Sequence, residues 1–357
     1  MAFLWCRKVS KCLLTTENRK QLSPKTIFLK KISAILFRIS MSCALLIFLF
    51  RNIDEKTLFN LIKNSDKLIL FYAAFAFFMM YPLALFRWNM LLKAAKINLP
   101  LKRVIMSFSG GVFFNVFLPS TIGGDFLRSM DLAKHTKKTK EVVATVFLDR
   151  LSGFVGLVLL ASLALLFGFK LIEDKIVFFF VSFLVIVLTL VLIVLFNNRV
   201  YSKINKFLLS PRGEKSKFGV SIFEKIRGML INLHQEVHYF RHKKKVIFNN
   251  LVLSMFIQIL SPLSFYLIGL ALGIKAGIIY YLLFLPIIGA ITLLPISIGG
   301  LGLRDASTVY FFQKVGVIPD LSIAMSLLNF TFILFFGSIG GIIYVCTLHN
   351  RRLQYHK

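Results

Sequence analysis

Long apolar runs alternate with short basic stretches along this chain. The runs fall at about 34–50, 67–92, 104–118, 143–169, 176–196, 248–273, 277–298 and 321–346. Several approach or exceed the ~18 apolar residues that a bilayer-crossing helix needs. The pattern predicts an all-α polytopic membrane protein.

Two of the eight runs differ from the rest. Run 104–118 is short, carries Ser109, Gly110, Gly111 and Asn115, and ends at Pro119. Run 277–298 carries Pro286, Gly289 and Pro295. Proline lacks a backbone donor and interrupts a helix. In lipid, an interrupted helix survives only where protein or a water-filled cavity satisfies the freed backbone groups. These two runs are therefore expected to be re-entrant helical hairpins, leaving about six spanning helices.

The placement of Lys and Arg tests that arrangement. With six crossings and two hairpins, the segments assigned to the cytoplasm (1–33, 93–103, 125–142, 197–247 and 347–357) hold 32 basic residues, and those assigned outside hold nine. With eight crossings, the twelve-charge loop 197–247 and the five-charge stretch 125–142 both move outside. The positive-inside rule favours the first arrangement, with both termini cytoplasmic.

The interrupted runs also share a motif. Residues 118–128 read LPSTIGGDFLR and residues 294–304 read LPISIGGLGLR, with seven of eleven positions identical. Shifting the first half by the 176 residues that separate the motifs lays 67–92 on 243–268 and 143–169 on 319–345, over real apolar runs. The expected architecture is an inverted-topology repeat of helix, hairpin, helix. Repeat 1 covers about 67–169 and repeat 2 about 248–346, with 176–196 as the crossing that inverts the second copy. The single transmembrane domain covers 34–350. A basic cytoplasmic segment, 1–33, precedes it, the basic cytoplasmic loop 197–247 interrupts it, and a basic tail, 351–357, follows. Paired Gly/Pro-interrupted segments at matching places point to a transporter's substrate site.

Composition agrees. The chain is 57% hydrophobic, with a mean hydropathy of +0.78 and 39 Phe, against about 45–50% apolar for soluble domains. In a soluble protein the net charge of +29 would point to nucleic acid. Here the basic residues sit between apolar runs, where they set topology and meet anionic headgroups, so no nucleic-acid partner is expected. Cys6, Cys12, Cys43 and Cys346 form neither a disulfide framework nor a metal spacing. The polar, basic start lacks the small-residue site of a cleavable signal peptide.

The chemistry rests on the motifs. Gly123 and Gly124, and likewise Gly299 and Gly300, permit a sharp turn and close backbone approach. A half-helix then begins, with Arg128 or Arg304 near its first turn. Exposed N–H groups, a partial positive charge and an arginine together suit a phosphate or carboxylate. Two such sites, one from each face, would meet near the midplane. The competing reading makes the glycines packing devices and pairs the arginines with Asp125 and Asp305 as structural salt bridges. Asp125, Asp149 and Asp305 are the acids in or beside the core runs, and a buried carboxylate there could couple transport to protons.

Elsewhere the signals are weaker. His234, His238 and His242 share a helical face but lack an acid or Cys to complete a metal set. The stretch around them reads equally well as an amphipathic surface helix. Arg38 is expected to snorkel. No P-loop sequence and no nucleophile–base pair beside the motifs is visible. No cofactor and no metal are expected.

Arg87-Trp88, Asn115 with LPSTIGGDFLR, Asp149-Arg150 and LPISIGGLGLRD resemble the flippase-like family named after the transmembrane region of lysylphosphatidylglycerol synthase, which also includes archaeal dolichol-phosphate-sugar proteins. The resemblance covers about residues 30–350. The family more often has Glu where Asp305 stands, so a contact made there would be lengthened or lost. The resemblance implies a translocase for an anionic phospholipid or a polyprenyl-phosphate-linked sugar in the cell membrane. Asn115, Gly123, Gly124, Asp125, Arg128, Gly299, Gly300, Arg304 and Asp305 would bind substrate, and Asp149, Arg150 and Arg87 would form a coupling or structural set. The alternatives are a membrane-embedded transferase acting on such a headgroup, or an accessory to the enzyme that makes the lipid.

Overall fold

The computed structural model describes residues 55–117, 123–136, 138–168, 175–197, 243–292 and 300–355, with Ser40, Val200, Ser202 and Phe240. The expected span 34–50, Arg38, Pro119, Pro295, Gly299 and the three histidines His234, His238 and His242 lie outside the described residues.

Those residues form ten helices and no strand: α1 Glu55–Lys63, α2 Lys67–Ala94, α3 Leu101–Phe117, α4 Gly123–Thr136, α5 Thr139–Gly168, α6 Lys175–Phe196, α7 Lys244–Ala271, α8 Ile278–Thr292, α9 Leu303–Gln313 and α10 Pro319–Tyr355. The all-α class expected from the apolar runs is the one observed. Five helices, α2, α5, α6, α7 and the Pro319–Thr347 part of α10, are long and apolar enough to cross a membrane. With 22 to 30 residues they extend about 33–45 Å, against a hydrocarbon core of about 30 Å. By contrast α3, α4, α8 and α9 have 17, 14, 15 and 11 residues. At roughly 16–26 Å, none of them reaches across alone.

The prolines inside the described helices do not break them. Helix α8, Ile278–Thr292, runs unbroken through Pro286. Pro82 and Pro262 likewise sit inside α2 and α7. Neighbouring helices can satisfy the carbonyls that such prolines free.

Helices α2 and α7 form the spine, and side-chain and backbone bonds fix them antiparallel. The Asp66 N–H donates to the Ala271 carbonyl at 3.0 Å, and the Ser264 hydroxyl to that of Ala73 at 2.8 Å. The Asn250 amide reaches the Arg87 carbonyl at 3.3 Å, and Lys243 Nζ the Ala94 carbonyl. Residue numbers thus rise along α2 as they fall along α7. Around this spine, α3 packs on α4 and α10, while α8 packs on α9 and α5; α4 meets α5 as α9 meets α10. Exchanging α2–α5 for α7–α10 maps this set of neighbours onto itself.

Four apolar clusters result among the described residues, two of them large. One joins Phe265, Tyr281, Phe284, Phe311 and Phe312, and the other Trp88, Leu92, Leu132, Val142 and Phe240. Helix α6 is apolar all round and turns Phe179, Phe183, Ile186 and Leu190 outward. Such a face suits lipid, not water.

Candidate functional site

A cleft of about 300 Å³ opens between α2, α3, α4, α5, α7 and α8. Its charged wall is an alternating chain of five side chains. Arg87 Nε on α2 meets Asp149 Oδ1 on α5 at 2.8 Å. The other oxygen of Asp149 accepts from Arg128 Nη2 on α4 at 2.9 Å. Arg128 Nε lies 3.1 Å from Asp125 Oδ1, and Asp125 Oδ2 accepts from Arg150 Nε on α5. The order is Arg87, Asp149, Arg128, Asp125, Arg150.

Helical spacing explains the order. Asp125 and Arg128 stand three residues apart on α4 and so share a face. Asp149 and Arg150 are successive on α5, about 100° apart around the axis, so one reaches Arg87 and Arg128 while the other reaches Asp125. The Arg128 guanidinium lies 4.7 Å from the Trp88 ring centroid and 5.8 Å from that of Phe108. Aromatic faces attract a cation in this geometry. Charges this deep are costly unless paired, and four of the five are buried. Arg150 is the exception, with 38% of its side chain exposed. Among the described residues the chain joins three arginines to two carboxylates.

Asn115 and Gly124 join α3 to α4. The Asn115 side-chain oxygen accepts from the Gly124 N–H at 2.9 Å, satisfying one of the unpaired donors at the start of α4. A Cβ on Gly124 would lie 2.0 Å from the Gly111 carbonyl oxygen. Any larger residue there forces α3 and α4 apart. Gly123 opens the same helix, half-buried. In the second copy Gly300 turns the chain with φ +80°, a left-handed conformation that glycine adopts without strain.

The second motif makes a separate cluster. Arg304 Nη2 pairs with Asp305 Oδ1 at 3.0 Å, and its Nε donates to the Ser326 hydroxyl on α10 at 3.2 Å. Ser326 donates in turn to Asp305, and the other Asp305 oxygen accepts from the Gly302 N–H at 2.9 Å. The Arg304 guanidinium also lies 5.2 Å from the Phe330 ring centroid. Gly300, Arg304 and Asp305 are not among the residues lining the cleft. The structure thus gathers Asn115, Asp125, Arg128, Asp149, Arg150 and Arg87 at one cleft and sets the second-copy residues apart.

Sequence reasoning passed over α7. Asn250, Ser254 and Gln258 recur every four residues in a mostly apolar helix, a polar stripe legible in the sequence. Ser254 accepts from Arg87 Nη1 at 3.0 Å, and the Gln258 amide donates to the Gly153 carbonyl at 3.0 Å. Gln258 also lines the cleft.

A cleft with a buried ion chain in its wall, held among helices long enough to span lipid, defines a multi-pass integral membrane protein with a charged interior site. The chain belongs to the family of the lysylphosphatidylglycerol synthase transmembrane region, whose model matches residues 35–341. It is 25% identical over 283 residues to a UPF0104 membrane protein of Pyrococcus horikoshii, covering 75% of this chain and 82% of the relative. A UPF0104 membrane protein of Methanothermobacter thermautotrophicus is 24% identical over 279 residues, with the same shares covered.

Proposed function

We propose that this protein is a translocase for an anionic lipid headgroup, which enters the cleft while the acyl chains stay in the bilayer. The observation that carries this reading is the buried chain of three arginines and two carboxylates, whose half-exposed member, Arg150, faces the cleft. A guanidinium in a low-dielectric wall attracts an anion more strongly than one in water. The volume, about 300 Å³, lies at the small end of ligand pockets. It suits a phosphate with a polar substituent and is too small for a whole lipid. Asn115 and Gln258, both on the cleft wall, supply amides for such a substituent.

Alternating access would come from the inverted repeat. The antiparallel α2/α7 spine and the exchangeable pattern of helix neighbours support two opposed copies around the cleft. The short pairs α3/α4 and α8/α9 suit re-entrant hairpins, the first entered from the cytoplasm. The cell membrane is the location, with both termini inside. A topology test follows. A single cysteine replacing Lys138 or Lys215 should resist a membrane-impermeant thiol reagent in intact cells and label fully once the cells are opened. Labelling of either from outside would rule out this topology.

The function itself is tested in proteoliposomes. Fluorescent phosphatidylglycerol should exchange leaflets faster with the protein than without it, and faster than fluorescent phosphatidylcholine with the same chains. Rates equal to those of protein-free vesicles for both lipids would reject translocation of anionic phospholipids.

A further inference from the structure

We propose that Gln258 reads the headgroup beyond its phosphate: the Gln258 amide oxygen accepts from an uncharged hydroxyl, in a neutral subsite between α5, α7 and α8. The inference rests on the reading of the cleft as an anion site and adds a second, uncharged point of recognition to it.

The polar stripe of α7 splits in two. Asn250 donates to the Arg87 carbonyl and Ser254 accepts from Arg87 Nη1, so both hold α2. Gln258, one turn further, lines the cleft. Its side-chain NH2 donates to the Gly153 carbonyl at 3.0 Å. A carbonyl only accepts, so this bond fixes which end of the amide is the oxygen. The other side-chain acceptors on the cleft wall are engaged. Asn115 Oδ1 takes the Gly124 N–H, and arginines meet both oxygens of Asp125 and of Asp149. Among the described side chains that line the cleft, Gln258 Oε1 is the acceptor with no donor of its own.

The surroundings leave room for a substituent. Gly153 and Gly289 also line the cleft and present no side chain. Among the described residues, a Cβ on Gly153 would meet the Arg87 guanidinium at 3.5 Å, and one on Gly289 would meet Leu157 Cδ1 at 3.8 Å. Both are ordinary contacts. Gln258 Cγ lies 3.3 Å from where Gly156 would carry a Cβ. Gly153, Gly156 and Leu157 share one face of α5, so Gln258 and Gly289 flank the same stretch of that helix. A free acceptor in such a place selects a donor. A hydroxyl brings one without a charge. An ammonium would meet only a neutral oxygen here, and its charge would stay uncompensated in a low-dielectric wall. The carboxylates that could neutralise it already serve arginines.

The test measures affinity of the full chain, in detergent, for dihexanoyl phosphatidylglycerol and dihexanoyl phosphatidylmethanol. Both are monoanionic phosphodiesters, and only the first carries hydroxyls beyond the phosphate. The wild type should bind the glycerol probe about fivefold more tightly, the scale of one neutral hydrogen bond. Gln258→Met keeps the side-chain length and removes the acceptor. It should bind both probes equally, at the wild-type affinity for the methanol probe. Gly289→Val fills the subsite from α8 and should abolish the preference in the same way, which keeps the test open if Gln258→Met fails to fold. Hexyl glucosyl phosphate against hexyl methyl phosphate repeats the comparison for a sugar, and the pair with the larger ratio names the source of the hydroxyl. A merely structural Gln258 would lower the affinity for both probes alike and leave their ratio intact, and that result would overturn the proposal. Equal wild-type affinities within both pairs, with the anionic probes still preferred to dihexanoyl phosphatidylcholine, would also overturn it and leave the anion site standing. No preference of the wild type for any anionic probe over phosphatidylcholine would remove both readings.

Discussion

Replacing Asp149 with alanine should cost about 3–5 kcal/mol of folding free energy, the range for breaking a buried ion pair by removing one partner. Among the described residues Asp149 is the one acid shared by two buried arginines, and its loss leaves Arg87 and Arg128 facing each other's charge inside the protein. Asparagine preserves the shape and some hydrogen bonds, yet leaves the same uncompensated cations, so it should cost nearly as much. Arg87→Met should be milder, because Asp149 keeps Arg128. Combining Arg87→Met with Asp149→Ala should recover part of the stability, giving a coupling of about 0.5–3 kcal/mol, the range for residues in one network. Thermal unfolding of the detergent-purified variants measures each value. Additive losses in the double variant would mean that the two residues do not act as a pair.

The folded arrangement around Asp149 shows what was legible in the chain and what was not. The helices were legible because length and apolarity decide them in lipid. Run 143–169 and α5, Thr139–Gly168, differ by only a few residues. The repeated LP…GG motif gave the expectation of paired breaks, and its LP halves lie outside the described residues; proline alone did not mark a helix end. Pro286 lies within α8, since in a packed bundle a proline costs only what its neighbours fail to satisfy. Asp125, Arg128, Asp149 and Arg150 were legible as costly charges in apolar surroundings. Their order along the chain of ion pairs was not, because it depends on how α2, α4 and α5 are rotated against one another. The stripe Asn250, Ser254, Gln258 was readable at four-residue spacing and went unused, since each residue alone looks like ordinary helix–helix glue. The two motifs matched in sequence but differ at the acid: Asp125 stands three residues before its arginine and Asp305 one residue after. That offset turns one arginine toward a shared cleft and leaves the other in a local cluster.

The same offset sets opposite outcomes for the matched arginines. Sequence symmetry predicts that Arg128 and Arg304 clamp one headgroup together, so that either alanine substitution weakens binding by roughly ten- to a hundredfold, the worth of a charge-assisted hydrogen bond. The structure predicts that only the first copy behaves this way. Arg128 links the two carboxylates of the cleft wall. Arg128→Ala should therefore lose both stability and anion affinity. Arg304 ties α9 to α10 through Ser326 and neutralises Asp305, which is 2% exposed. Arg304→Ala leaves that carboxylate buried with only the Ser326 hydroxyl and the Gly302 N–H. It should cost about 3 kcal/mol of stability, at the low end for a broken buried pair because these two donors remain, and leave anion affinity within about twofold. Arg304→Met with Asp305→Leu removes both charges and should regain most of the loss, as apolar replacements of buried pairs often do. Paired measurements of unfolding and of phosphatidylglycerol binding on the same preparations decide the matter. A tenfold drop in affinity for Arg304→Ala at unchanged stability would restore the two-motif clamp and require Arg304 to face the headgroup in another state of the transport cycle.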